Sequence, residues 1–143
     1  MRWSLFFCQR LDLNQDVNRR ELEIELGSSL RFHPMPCSGR IDVLHLLRVL
    51  EEGSDRVLVL TCPVGSCRYR QGNLRAAKRL DHARRLIQEV GLEPQRLELV
   101  AADPHPMNIG ELLRPLLARP WPLGSSPLAR DRSLQKDSGG IDP

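Results

Sequence analysis

The feature that most constrains the fold is the uninterrupted apolar run VLVL inside residues Arg56–Thr61. A strand that is apolar at successive positions suits a parallel sheet covered on both faces, because a strand with one wet face alternates apolar and polar residues. Three other segments, residues 2–8, 30–35 and 96–102, also have the length and composition of strands. The sequence therefore predicts four strands.

Helical patterns lie between these strands. Residues 41–52 carry apolar side chains three apart, residues 73–90 carry a longer apolar stripe, and a glycine ends each pattern. Residues 107–117 predict a closing helix. Residues 16–26 fit either a strand or a helix, and we interpret them as a helix because it completes a βαβ crossover. This alternation predicts a parallel α/β sheet with right-handed crossovers.

The chain has 143 residues, 41% of them hydrophobic, which suits one folded domain. From Pro120 onward, Pro, Gly and Ser are dense and no period survives, so we predict a domain over residues 1–119 and a disordered tail over 120–143. No apolar run approaches the roughly 18 residues of a membrane span, and the run Trp3–Cys8 is too short for a signal peptide. We therefore expect a cytoplasmic protein without a membrane partner.

Four cysteines follow the predicted strands. Cys8 ends the first strand, Cys37 follows the second, Cys62 follows the third, and Cys67 comes five residues later. The carboxyl ends of parallel strands lie on one edge of the sheet, and ligand sites form there where strand order reverses. This placement indicates metal or redox chemistry in preference to core filling.

The spacing of the cysteines leaves the chemistry open. Four thiolates suit an iron–sulfur cluster or a structural zinc ion, although Cys62–x4–Cys67 is slightly long or marginal for zinc and tight ferredoxin spacings are absent. A redox dithiol formed by Cys62 and Cys67 is a third alternative, without the C-x-x-C spacing that tunes thiol pKa. His33, four residues before Cys37, is more simply interpreted as a histidine without a functional role than as a spare ligand.

The surrounding loops and the next helix carry glycine and positive charge. Gly39 and Gly65 allow close approach of the backbone to a ligand, and Arg40 at a helix start favours an anion beside it. Residues 68–85 contain seven Lys or Arg against one Asp, a net charge of +6. This run is either a solvated helix face or a docking face. Nucleic acid is disfavoured, because only one aromatic residue, Tyr69, accompanies the charges.

Three strings carry a family resemblance: PCSGRID from residue 36, CPVGSCRYRQGNLRAAKR from residue 62, and GLEPQRLELVAA from residue 91. Together with the order of elements, they resemble the methyl-viologen-reducing hydrogenase delta subunit family, also called hydrogenase iron–sulfur subunits, over residues 3–117. The resemblance implies a small flavodoxin-like α/β domain that carries a 2Fe–2S cluster on cysteines. Leu11 stands where the family has a further cysteine, and Pro63 and Arg68 stand where it has histidines.

The same resemblance implies the site and the partners. The implied cluster ligands are Cys8, Cys37, Cys62 and Cys67. Candidates for contacts around the cluster or with a partner are Gly39, Arg40, Gly65, Arg68, Tyr69 and Asn73. The family relays electrons between a nickel–iron hydrogenase, or another donor, and the flavin subunit of a heterodisulfide-reductase-like complex. We therefore expect an electron-transfer subunit that catalyses no bond-making chemistry itself.

Two other functions remain open on the sequence. The first is a thiol-redox protein that uses Cys62 and Cys67, which would form a reversible disulfide in the absence of iron. The second is a zinc-bound or metal-free interaction subunit of the same complex. Iron supports the electron-transfer subunit, a reversible disulfide without iron supports the thiol-redox protein, and zinc, or no metal with an intact partner complex, supports the interaction subunit.

Overall fold

The computed structural model describes residues 2–8, 12, 14–36, 40–62, 72–102 and 108–128. The strands are β1 Trp3–Cys8, β2 Leu30–Met35, β3 Arg56–Thr61 and β4 Leu97–Ala101. The helices are α1 Gln15–Leu26, α2 Val43–Glu51, α3 Gly72–Glu89 and α4 Ile109–Leu117, with short 3₁₀ turns at Gly27–Ser29 and Pro94–Arg96. The four predicted strands and the four predicted helices are confirmed, including α1, whose sequence fits either type.

The sheet is parallel throughout, with strand order β2-β1-β3-β4. Phe7 of β1 is level with Pro34 of β2 on one side and with Leu60 of β3 on the other. The chain passes from β1 to the edge strand β2 and then crosses back to form β3 and β4. Strand order therefore reverses between β1 and β3, which is the switch point of a flavodoxin-like order.

Helices cover both faces of the sheet, as the apolar run in β3 predicts. Every residue of β1 and β3 is buried. The layer under α2 and α3 contains Phe6, Leu46, Leu50, Val57, Val59, Leu80 and Ile87, and the layer under α1 and α4 contains Leu5, Phe7, Leu22, Leu58, Leu60, Ile109 and Leu113. Within the described part of the chain, no helix has the length and apolar character needed to cross a membrane.

Residues 120–128, which the sequence assigns to the predicted tail, pack against the amino-terminal edge of the sheet. Ser126 is fully buried, and its N–H donates to the Asp55 carboxylate at 2.6 Å. The Arg56 guanidinium lies between two indole rings, 4.4 Å from the centroid of Trp3 and 4.6 Å from that of Trp121. The composition of residues 120–128 does not predict this packing, because charged residues of the sheet edge hold the segment and the segment has no periodic apolar pattern. The folded part thus reaches residue 128, and residues 129–143 lie outside the described residues.

Candidate metal centre

Two of the predicted ligands, Cys8 and Cys62, meet at the switch point of the sheet. Cys8 is the last residue of β1, and Cys62 directly follows β3, the adjacent central strand. Both side chains are buried, with 1% of Cys8 and 8% of Cys62 exposed. The Cys62 thiol donates to the Cys8 sulfur with a distance of 3.4 Å between the two Sγ atoms. The topology therefore brings together two thiols that are 54 residues apart in sequence.

The end of β2 reaches the same place. The Cys8 thiol donates to the Pro36 carbonyl at 3.8 Å, and Cys8 is level with Met35 in the sheet. Pro36 is the residue before Cys37, so the ends of three strands converge around Cys8, as predicted. The remaining predicted residues in the loops lie outside the described residues: Cys37, Gly39, Gly65, Cys67, Arg68 and Tyr69.

The geometry of the thiol pair suits a shared metal ion. Two thiolates on one tetrahedral ion lie about 3.8 Å apart when the metal–sulfur bonds are about 2.3 Å long. The 3.4 Å between Cys8 and Cys62 is close to that separation. Among the described residues, no group of three or more Cys, His, Asp or Glu side chains is arranged to hold a metal. The described part of the chain therefore contains two adjacent thiols and no complete metal site.

Asp12 is a structural residue that no pattern in the sequence singles out. Its carboxylate accepts the N–H of Asn14 at 2.9 Å, the amide of Asn18 at 2.7 Å and the N–H of Ile109 at 2.9 Å. Burial raises the pKa of Asp12, but these three hydrogen bonds outweigh burial and leave the pKa below its ordinary value. Asp12 therefore joins the start of α1 to the start of α4. An acidic residue just before a helix predicts the local contact, and nothing in the sequence predicts the contact 97 residues away.

The start of α2 is fixed from two sides. Asp42 is the N-cap, and Nδ1 of His45 accepts the Asp42 N–H at 3.1 Å. The helix therefore begins two residues later than predicted, and Arg40 precedes it with an exposed side chain. Arg79 of α3 donates to the carbonyl of Ile41 at 2.7 Å. These bonds set the position at which the chain leaves the loop after β2.

The positive charges of α3 do not all face solvent. Arg79 is half-buried and donates to the carbonyl of Ile41, two residues before α2, and Arg84 donates to the carbonyl of Leu97 at 2.8 Å. Arg85 is exposed and pairs with Asp81 at 3.1 Å. The predicted docking face is thus smaller than the whole basic run, since two of its cations support the fold.

Two of the exposed cations lie in the first two turns of α3. Leu74, Arg75 and Lys78 are exposed, and Leu74 is 62% exposed despite its apolar side chain. We call these three residues the α3 patch. Since α3 follows β3, the patch lies toward the edge of the sheet that carries Cys62. Asn73 lies in the same first turn, and its side chain is outside the described part.

His33 packs against the sheet. Its ring stacks on Phe6 with centroids 4.6 Å apart. Burial lowers the pKa of His33, with smaller lowering effects from Arg31 and His45 and an opposing one from Glu52. The His33 ring therefore packs with the core beside Phe6.

Comparison with known proteins identifies the family. Residues 5–109 match the family described as methyl-viologen-reducing hydrogenase, delta subunit. An F420-non-reducing hydrogenase vhu iron-sulfur subunit of Methanocaldococcus jannaschii is 31% identical over 110 residues, covering 73% of this chain and 79% of that protein. The protein of the same name from Methanopyrus kandleri is 39% identical over 72 residues, 50% of this chain and 54% of that protein. The match thus spans about half the length of this second relative.

A further relative is a much larger protein. It is a subunit of the ferredoxin:CoB-CoM heterodisulfide reductase of Methanosarcina mazei, 39% identical over 74 residues, which are 52% of this chain and 9% of that protein. A segment similar to about half of this chain is therefore found both in proteins named as iron-sulfur subunits and within a larger reductase polypeptide. With 105 of its 143 residues matched, the chain belongs to the methyl-viologen-reducing hydrogenase delta subunit family.

Proposed function

We propose that this chain is an electron-transfer subunit that carries a 2Fe–2S cluster on Cys8, Cys37, Cys62 and Cys67. Its complex would contain a hydrogenase, or another electron donor, and a heterodisulfide-reductase-like subunit. The observation that carries the proposal is the pair of buried thiols, 3.4 Å apart, at the switch point of the sheet. The names of the relatives, which include iron–sulfur subunits, support the same assignment.

The residues of this chain fit such a cluster in number and chemistry. Iron–sulfur clusters are held by cysteine thiolates, and the chain has four. Cys8 and Cys62 would bind from the two central strands, and Cys37 and Cys67 from the loops that follow β2 and β3. When bound, the cluster accepts and releases single electrons. The burial of Cys8 and Cys62 would limit water around it, which is one way in which a protein sets a cluster's potential.

The kind of partner is inferred from the two forms in which similar segments occur, as a separate subunit and as part of a larger polypeptide. The relative from Methanosarcina mazei contains the matching segment within a heterodisulfide reductase polypeptide, as 9% of its length. Fusion of two modules keeps them at high effective concentration, which favours modules that work in contact. We infer that this chain, as a separate protein, binds a reductase polypeptide of that kind.

The α3 patch is the surface we assign to this contact. It combines an exposed leucine with two exposed cations near the cysteine edge, and rim charges of this kind mainly affect the association rate. Reversal of one charge, Lys78→Glu, is expected to slow association with the heterodisulfide-reductase-like subunit of its own complex at least about threefold at low salt. Arg85→Glu makes the same charge change on the same helix face, about 10 Å farther along the axis. Equal effects of the two substitutions on the association rate would show that the α3 patch is not part of the interface.

The cluster itself is tested with matched substitutions at one edge of the sheet. Cys8→Ala and Cys62→Ala are expected to lose the reconstituted iron and sulfide under anaerobic conditions. Met35→Leu is the control, because Met35 is buried level with Cys8 and the change conserves volume without removing a thiol. Full iron in both cysteine variants would contradict the ligand assignment. Zinc in place of iron in the wild type would favour the interaction subunit.

A further inference from the structure

The thiols of Cys8 and Cys62 are close enough to react with each other. Their sulfur atoms are 3.4 Å apart, so closing a disulfide of about 2.05 Å needs an approach of only about 1.4 Å. Rotation of one side chain supplies a displacement of that size. This pair differs from the Cys62 and Cys67 pair that the sequence suggests.

The backbone of the two strands also fits a disulfide. Phe7 is level with Leu60, so on this register Cys8 is level with Thr61 and Cys62 lies one residue beyond. Neighbouring strands are about 4.8 Å apart with a rise of about 3.3 Å per residue, so Cα atoms offset in this way lie about 5.8 Å apart. Disulfides span Cα distances of about 4.4–6.8 Å. The central strands can therefore keep their pairing when the bond forms.

We propose that Cys8 and Cys62 form a reversible disulfide when the chain holds no metal, and that this bond blocks cluster loading. The oxidant is a low-molecular-weight disulfide. Cys62 attacks first, since it is the more exposed of the two, and forms a mixed disulfide while one external thiol leaves. Cys8 then attacks the Cys62 sulfur and expels the second thiol. The chain loses two electrons and two protons, and the external disulfide gains both.

The claim that the disulfide blocks cluster loading rests on the proposed function. The thiolates that would bind iron are the same atoms that the disulfide consumes, so the oxidised chain has at most two ligands left. Reduction by an external dithiol restores all four. The pair would thus keep the empty chain from taking up metal under oxidising conditions.

The disulfide is tested on the full chain after metal removal and reduction, with glutathione disulfide as the oxidant. Trypsin cleaves after arginine, so the expected product links residues 3–10 to residues 57–68. The second peptide also contains Cys67, and fragmentation of the linked peptides locates the bond at Cys62. A link between Cys62 and Cys67, or glutathione adducts alone, would overturn the proposal.

Two variants make the assignment independent of fragmentation. The double variant Cys37→Ser/Cys67→Ser keeps only the Cys8 and Cys62 thiols, and it is expected to form the link in the same yield as the wild type. Cys8→Ser is expected to lose the link. Circular dichroism of each variant checks that the fold is retained. Loss of the link in a folded double variant would refute the pairing.

Metal uptake separates this inference from the proposed function. Iron and sulfide reconstitution of the oxidised chain is expected to fail until dithiothreitol is added. If the oxidised chain takes up iron as fully as the reduced chain, the block on loading is refuted while the cluster stands. If the reduced chain takes up no iron although the disulfide forms, the proposed function is refuted while the disulfide stands.

Discussion

Replacement of Asp12 is expected to destabilise the chain at neutral pH and much less in acid. The carboxylate accepts hydrogen bonds from Asn14, Asn18 and Ile109, and only 7% of the residue is exposed. Hydrogen bonds to charged groups contribute about 1.5–3 kcal/mol, and contributions within one network are not additive. In Asp12→Asn, the NH2 group of the new amide faces at least one of these three donors and cannot accept its hydrogen bond. We therefore expect the free energy of unfolding to fall by about 2 kcal/mol at pH 7.

The pH dependence of this stability loss identifies the Asp12 carboxylate as its cause. The pKa of Asp12 is lowered in the folded chain, so the unfolded chain takes up the proton first as pH falls. The stabilisation is complete above the unfolded value of about 4 and is lost as pH falls through the folded pKa. The difference in unfolding free energy between wild type and Asp12→Asn should therefore shrink below about pH 4.

Urea denaturation followed by tryptophan fluorescence measures this difference between pH 3 and pH 7. Asp16→Asn is the matched control, because Asp16 has a 68% exposed side chain in the first turn of α1 and pairs with Arg19 at 3.2 Å. Such exposed pairs contribute about 0–1 kcal/mol. A difference between wild type and Asp12→Asn that stays constant over this range would refute the reasoning.

Two further predictions concern contacts that the sequence does not indicate. A chain that ends after residue 119 should be about 2–3 kcal/mol less stable to urea denaturation than one that ends after residue 128. The shorter chain lacks Trp121, which stacks on the buried Arg56, and the hydrogen bond from Ser126 to Asp55. Equal stability of the two chains would contradict the packing of residues 120–128. Arg79→Met should lower stability by about 1.5 kcal/mol through loss of its bond to Ile41, whereas Arg85→Met should be nearly neutral, as thermal denaturation of both variants can check.

The sequence predicts the fold well because the central strands are apolar at successive positions and the helices carry periodic stripes. The VLVL run needs cover on both faces, and both apolar layers are present. Connectivity resolves the strand-like alternation of α1, since a parallel pair needs a crossover between β1 and β2. The composition of residues 120–128 does not predict their packing against the sheet, because buried arginines and an aspartate hold them and no periodic pattern reflects such contacts.

The candidate site is predicted in part. Strand ends and parallel topology suffice to bring Cys8 and Cys62 to one edge, and the sulfur distance agrees. The contact between Asp12 and Ile109 joins the starts of two helices across 97 residues of sequence, so no local pattern predicts it. The basic run of residues 68–85 predicts a uniform charged face. In the structure, however, Arg79 and Arg84 donate to backbone carbonyls outside their own helix. Only the geometry separates these supporting cations from the exposed ones.

The proposed function requires that the chain hold a 2Fe–2S cluster. The direct measurement is the iron and acid-labile sulfide content per chain, with the visible spectrum, of protein purified without oxygen. We expect two iron and two sulfide per chain, as the 2Fe–2S formula requires, with absorption that dithionite bleaches. A chain that contains neither iron nor sulfide after anaerobic reconstitution, with all four thiols reduced, would contradict it.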